Sequence, residues 1–297
     1  MDILVTGGTG FIGRHLCRTL GERGHSVTAL GRSDPGDDLP EGVDFVEGDV
    51  TEFDSLPPAM EHRDAVVHLV SLSPIFAPKG GGRQHELVTV GGTRNVVRAM
   101  NETDVDRLIY LSGLGADPEG PTTFIQTKGR AEEIIRATDL DWTIVRPSVV
   151  FGSGAEFVPF VKLVTTPYVT GLPSGGNSMR FQPIWVEDLA DLLASALEDQ
   201  ATVEQTYELG GPDVYSLAAV TELVYQAAGR SVKIVPVPMP LARIGLTVAE
   251  FVPFIPLGRD QYRSLTFDNV TDTNAVEELG GDIEDLRSFN EYLMAEI

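Results

Sequence analysis

Along the first half of the chain, short unbroken apolar runs alternate with longer stretches in which apolar side chains recur every three or four residues. The runs at 3–5, 26–30, 44–47, 65–69, 107–111 and 142–146 have the length and composition of buried strands. The stretches 11–23, 84–101 and 124–138 between them carry helical spacing. This alternation predicts an α/β fold, a doubly wound parallel sheet with helices on both faces and right-handed crossovers. After residue 152 the pattern predicts a helix over 157–166, extended chain over 179–185, a helix over 186–199, a strand over 206–209 and a helix over 217–228. The stretch 234–257 is apolar but holds prolines at 236, 238, 240, 253 and 256, together with Arg243 and Glu250. It reads as interrupted helices in a small C-terminal lobe, with docking onto a membrane surface or a partner as the alternative. Residues 79–83, with three glycines, read as a mobile loop.

The first strand is followed at once by glycines at 7, 8, 10 and 13, and helical spacing starts at Phe11 and Ile12. Strand, glycine turn and helix in this order form the context that a dinucleotide-binding fingerprint needs. Glycines permit the tight turn and let a pyrophosphate approach the backbone, and the free N–H groups of the helix start favour its charge. The alternative is a turn that serves packing alone. The fold expected is therefore of the Rossmann type, with Gly7, Gly10, Phe11, Ile12 and Gly13 against the cofactor. Residues 1–152 form the dinucleotide-binding core, 153–180 a substrate-side insertion, 181–211 a return to the core sheet and 212–297 the small C-terminal lobe.

The ends of the next strands select the nucleotide. An acid ending the second strand would hydrogen-bond a ribose 2′-hydroxyl, whereas an Arg there accommodates a 2′-phosphate. Here Gly31-Arg32-Ser33 stands at that place and no acid follows before Asp34, so NADP(H) is expected over NAD(H). Gly48-Asp49-Val50 follows the third strand, where Asp49 either accepts from the adenine amino group or caps its own loop. Leu69-Val70-Ser71 closes the fourth strand on the adenine side.

Composition narrows the class. Asp and Glu total 44 against 22 Lys and Arg, a formal net charge of −22, and only four of the bases are lysines. That charge repels nucleic acid, which is excluded as a partner, and anionic membrane surfaces. Salt would screen the self-repulsion, so a salt-loving source is expected, with an ordinary acidic protein as the plainer alternative. The single Cys17 excludes an internal disulfide and fits a buried helix position. No apolar run reaches the ~18 residues of a spanning helix and no leader is expected, which points to the cytoplasm, or to a peripheral place at the inner face of the membrane. The five histidines show no metal-ligand spacing, and no metal site is expected.

With these residues in view the chain resembles the short-chain dehydrogenase/reductase superfamily in its extended or atypical branch. The resemblance rests on Thr6 to Gly13, on Gly48-Asp49-Val50 and Leu111-Ser112, on Arg146-Pro147-Ser148-Val149-Val150-Phe151-Gly152, and on Pro183 through Ala190. Ser112 to Ala116 and the late segment Leu265–Gly280, ending Glu278-Leu279-Gly280, are most similar to the group holding the NADPH-binding accessory subunit of respiratory complex I. The branch also contains NAD-dependent epimerase/dehydratase-like proteins. The resemblance implies a Tyr-x-x-x-Lys pair, four residues apart on one helix face, in which Tyr is the general acid/base and Lys lowers its pKa. The segment here reads Phe124-Ile125-Gln126-Thr127-Lys128. Phe124 has no proton to give.

Lys128 remains as a donor to the nicotinamide ribose or as an acid/base in its own right, unless it is a solvated lysine paired with Glu132. Ser112 is expected either to hydrogen-bond a substrate carbonyl or to cap a turn, and Pro147 to bring its backbone to the nicotinamide. Three functions follow: an oxidoreductase with non-standard proton handling, a non-catalytic cofactor-binding structural or sensor subunit docked on a protein partner or membrane-associated complex, and a sugar-nucleotide epimerase or dehydratase.

Overall fold

The computed structural model describes residues 1–76, 80–238, 240–241, 263 and 267–296. In chain order the elements are β1 (Asp2–Thr6), α1 (Phe11–Glu22), β2 (Ser26–Gly31), β3 (Asp44–Glu47), α2 (Pro57–Met60), β4 (Ala65–His68), α3 (Gly82–His85), α4 (Gly92–Glu102), β5 (Arg107–Leu111), α5 (Thr123–Arg136), β6 (Asp141–Pro147), β7 (Val150–Phe151), α6 (Phe157–Val164), β8 (Tyr168–Pro173), β9 (Arg180–Phe181), β10 (Ile184–Trp185), α7 (Val186–Glu198), β11 (Gln205–Leu209), β12 (Tyr215–Ser216), α8 (Leu217–Ala227), β13 (Val232–Val237) and α9 (Phe289–Glu296). Seven strands form one sheet in the order β3-β2-β1-β4-β5-β6-β11, every neighbouring pair parallel.

The sheet is doubly wound because its strands are apolar on both sides. Ile3 and Val5 face one layer, where they meet Leu16, Cys17 and Leu20 of α1 and Leu189 and Leu193 of α7. Leu4, one residue out of phase, faces the other layer with Val66, Leu108, Tyr110 and residues of α4 and α5. Glu187 ties α7 to α1 by accepting from His15 Nδ1 at 2.6 Å and Arg18 Nη1 at 3.4 Å. Burial pushes the Cys17 thiol up to about 12, so it behaves as a small apolar residue.

A smaller lobe stands over the carboxyl ends of the strands, built from three two-stranded ribbons (β7 with β10, β9 with β12, β8 with β13) and from α6, α8 and α9. Its own core joins Phe151, Phe157, Phe181, Leu217 and Phe289.

Several expectations need correction. Residues 234–237 are strand, not interrupted helix: β13 pairs in parallel with β8, with Pro236 opposite Leu172. Prolines two apart remove N–H donors from one edge of a strand, which an edge tolerates and a helix does not; residues 242–257 lie outside the described residues. The expected helix 84–101 begins at Gly82 and contains a widened π stretch over Glu86–Gly91. Gly82 and Arg83 therefore belong to a helix rather than a loop, and Lys79 lies outside the described residues. Extended chain at 179–185 resolves into β9 and β10, which pair in the lobe and not in the main sheet. Residues Ala275, Val276 and Leu279, expected within the lobe, pack into the core of the main sheet instead.

Candidate functional site

The glycine turn is held by its own amides. Gly7 N–H donates to Leu30 O at 2.9 Å, Gly8 N–H to Val5 O and Gly10 N–H to Gly7 O, both at 3.0 Å. Gly7 has φ +78°, the left-handed region that favours glycine. A Cβ on Gly13 would lie 2.2 Å from Gly7 O, so helix and turn pack backbone to backbone. A Cβ on Gly10 would meet Gly7 O at 3.1 Å and nothing else within 4 Å. Gly10 caps α1 without a side-chain hydrogen bond, and no acid stands in the first turn of that helix. The result is an open cradle of N–H groups at the positive end of a helix, which fits the diphosphate of a dinucleotide.

The cradle opens into a cleft of about 1580 Å³. Gly7, Gly10, Phe11, Ile12, Gly13, Arg32, Asp49, Val50, Leu69, Val70, Ser71, Ser112, Phe124, Lys128 and Pro147 all line it. Arg32 follows β2 and is exposed. Asp34 Oδ1 accepts from Gly36 N–H at 2.8 Å, closing its own turn. Asp49 Oδ1 accepts both the N–H and the hydroxyl of Thr51 at 2.8 Å, so one oxygen caps the loop and Oδ2 is the oxygen left for a ligand. His68, at the end of β4, is fixed between the hydroxyls of Thr6 at 2.7 Å and Thr93 at 3.3 Å. Burial, with Lys128 nearby, pulls its pKa down to about 3, which keeps it neutral.

Lys128 is not a solvated surface lysine. It is 2% exposed, and Nζ donates to Leu111 O at 2.5 Å and lies 4.8 Å from the Tyr110 ring centroid. Burial pulls its pKa from the ordinary 10.5 to about 7, against the weaker opposing pull of Glu132. The expected pairing with Glu132 is replaced by a different use of that carboxylate. Fully buried Glu132 accepts from Arg146 through Nε at 2.9 Å and Nη2 at 2.6 Å and from Ser112 Oγ at 2.5 Å, and forms an ion pair with Arg136 Nη2 at 2.9 Å. The Ser112 proton therefore points to Glu132, which removes it as a donor to a substrate carbonyl; the buried carboxylate is the stronger acceptor. Phe124 faces the cleft, its ring edge-on to His85 at 6.3 Å.

Three features of this site escape a sequence reading. Glu132 is visible by its i+4 spacing from Lys128, but its pairing with Arg146 arises only through the sheet. His85 comes from a helix more than thirty residues before Phe124 and carries no motif. The apolar wall opposite the glycine turn comes from elements scattered over the lobe.

A family model described as NAD(P)H-binding matches residues 7–200. The chain belongs to this family. The NAD(P)H-binding region lies within the extended short-chain dehydrogenase/reductase superfamily. It is similar to the mitochondrial NADH-ubiquinone oxidoreductase 40 kDa subunit of Neurospora crassa, 30% identical over 227 residues, which are 74% of this chain and 58% of that protein. It is also similar to the mitochondrial NADH dehydrogenase [ubiquinone] 1 alpha subcomplex subunit 9 of Arabidopsis thaliana, 27% identical over 92% of this chain and 71% of the relative. In fold it is similar to a UDP-glucose 4-epimerase of Thermotoga maritima in complex with UDP-glucose, with TM-score 0.76, 18% identity and coverage of 99% and 96% of the two chains. A UDP-glucose 4-epimerase of Thermus thermophilus in complex with NAD matches with TM-score 0.67, 21% identity and coverage of 95% and 99%. No helix among the described residues is long and apolar enough to cross a membrane.

Proposed function

We propose that this chain is an NADP(H)-binding oxidoreductase of the atypical short-chain dehydrogenase/reductase kind, in which Lys128 takes over the proton handling that residue 124 cannot perform. The observation that carries this reading is Lys128 itself, a buried amine on the cleft floor with a pKa pulled down to about 7. An acid/base group works best when its pKa lies near the operating pH. A bound nicotinamide supplies or accepts the hydride. The chain's own residues do the rest. The amides at the start of α1 hold the diphosphate. Arg32 offers a planar fork to a 2′-phosphate, and the acid nearest to it is already turned into its own loop. Asp49 Oδ2 takes the adenine amino group. Lys128 would hold the nicotinamide ribose hydroxyls and, as the acid/base, would give the substrate oxygen the proton that accompanies the hydride, or take it up in the reverse direction.

Titration of reduced-nicotinamide fluorescence, from low to multimolar KCl, tests the cofactor half. NADPH binding tighter than NADH is expected, and a clear NADH preference overturns the assignment. The charge of −22 supports a salt-adapted source, and unfolding resistance that rises with KCl in the same series is the expected outcome. NADPH oxidation against a quinone and carbonyl panel, abolished in Lys128→Ala, supports the enzyme.

A second reading is a non-catalytic subunit that holds the dinucleotide within a respiratory-type, membrane-associated complex. Phe124 and the Ser112–Glu132 bond favour it, because both hydroxyl protons that the superfamily's chemistry uses are out of play. The similarity to complex I subunits points the same way. Tight NADPH binding without turnover, and co-purification with a larger assembly, would decide for this reading.

A further inference from the structure

The cleft has two chemically different halves. The half under the glycine turn presents amides, Arg32, Asp49 and Lys128. The other half lies beyond Pro147, against the lobe, and its wall is Phe160, Leu163, Leu172, Met179, Phe181 and Leu217. Leu172, Met179, Phe181 and Leu217 are between 3% and 8% exposed and belong to the lobe's core, so the lobe's own packing holds the wall in place. Leu163 is 57% exposed and marks the lip where the compartment meets solvent.

Charge is scarce among the described residues of this half. Among the described residues its lining includes one cation, Arg263, already engaged in an interaction within the chain, and one carboxylate, Glu156, which accepts from the Ser73 hydroxyl at 2.5 Å. Arg180 is outside the lining, forked onto Asp268 with Nε at 2.8 Å and Nη2 at 2.5 Å. A nucleoside diphosphate would bring its anionic groups past Glu156 into a wall that offers them little. Burying an unpaired charge in such a place costs far more than burying hydrocarbon gains. The geometry points to a ligand that is a hydrocarbon chain with an uncharged oxygen-bearing head, the chain against α6, β8 and α8 and the head toward Lys128. Acyl and isoprenoid chains share this chemistry, whereas a nucleotide-linked sugar does not fit it. The inference rests on reading the glycine-turn half as the cofactor site, which orients the ligand.

The test uses the full chain in saturating NADPH, with Nile red as a reporter of the apolar compartment. A series of methyl ketones from hexanone to decanone, a decyl-substituted benzoquinone and UDP-glucose are each titrated as competitors. Competition that strengthens about fourfold per added methylene, the equivalent of about 0.8 kcal/mol, is the expected result. Ketone against quinone distinguishes the two head types. Phe160→Asp at the wall and Leu163→Asp at the exposed lip should each weaken decanone about tenfold or more, by replacing apolar contact with a charge. NADPH affinity, read in the same samples, reveals a variant that has lost its fold. Affinity independent of chain length, or UDP-glucose competing better than decanone, overturns the inference while NADPH binding leaves the cofactor reading intact. Absent NADPH binding overturns the cofactor reading, and the chain-length series without cofactor still decides the compartment.

Discussion

Replacing Lys128 by Met tests the buried amine directly. In the folded chain the side chain loses its proton at about 7, and in the unfolded chain at its ordinary 10.5. Below pH 7 both states hold the proton, and the folded state bears the full cost of a buried charge. Between 7 and 10.5 the unfolded chain holds a proton that the folded chain has shed. Unfolding then takes up a proton, so stability rises with pH across that window. At about 1.36 kcal/mol per unit, the whole interval sets an upper bound of about 5 kcal/mol. Met fills a similar volume without charge but leaves Leu111 O without its 2.5 Å donor, a loss of about 1 kcal/mol. Lys128→Met should therefore be more stable than the parent at pH 6 by roughly 1–3 kcal/mol, with the advantage vanishing toward pH 10. Urea unfolding of both proteins at matched salt, from pH 6 to 10, measures it. The difference between the two curves removes the titrating groups that do not sense Lys128. Parallel curves would refute the claim that the amine is neutral in the fold at moderately alkaline pH.

Gly13→Ala places a Cβ 2.2 Å from Gly7 O and 2.6 Å from Gly8 Cα, so the turn must open; stability should fall by about 1–3 kcal/mol and NADPH affinity at least about tenfold, seen by thermal melts and fluorescence titration. Arg32→Ser removes the fork after β2 and should weaken NADPH by roughly tenfold or more while leaving NADH nearly unchanged; an equal loss for both would deny that Arg32 reads the 2′-phosphate. His68 is held neutral with a pKa of about 3, so the unfolded chain binds a proton first and stability drains away as pH falls from 6.5 toward 3. His68→Gln keeps donors and acceptors for Thr6 and Thr93, and should lose about 3 kcal/mol less than the parent between pH 7 and pH 4; equal losses would contradict a neutral buried imidazole.

Much of the scaffold was legible in the chain itself. Ile3-Leu4-Val5 and the other runs are apolar on both faces, which in water requires cover on both sides, and a doubly wound sheet supplies it. Gly7, Gly10 and Gly13 announced the turn because the backbone approach they permit is local and needs nothing from the rest of the fold. Phe124 beside Lys128 was equally plain, since a missing hydroxyl is a fact of composition. Local periodicity failed at β13, where apolar residues among prolines left helix and edge strand undistinguished until β8 supplied a partner.

The tertiary structure decided whatever depended on which distant groups became neighbours. Glu132 looked like the partner of Lys128 because helical spacing puts them on one face. In the fold β6 brings Arg146 to that carboxylate and β5 brings Ser112, and a fork from a guanidinium outcompetes a lysine already bound to Leu111 O. The burial that lowers the Lys128 pKa, the contact of His85 with Phe124 and the apolar wall from Phe160 to Leu217 arise in the same way. They depend on dielectric and contact, and both are properties of the packed chain, which no stretch of sequence carries alone.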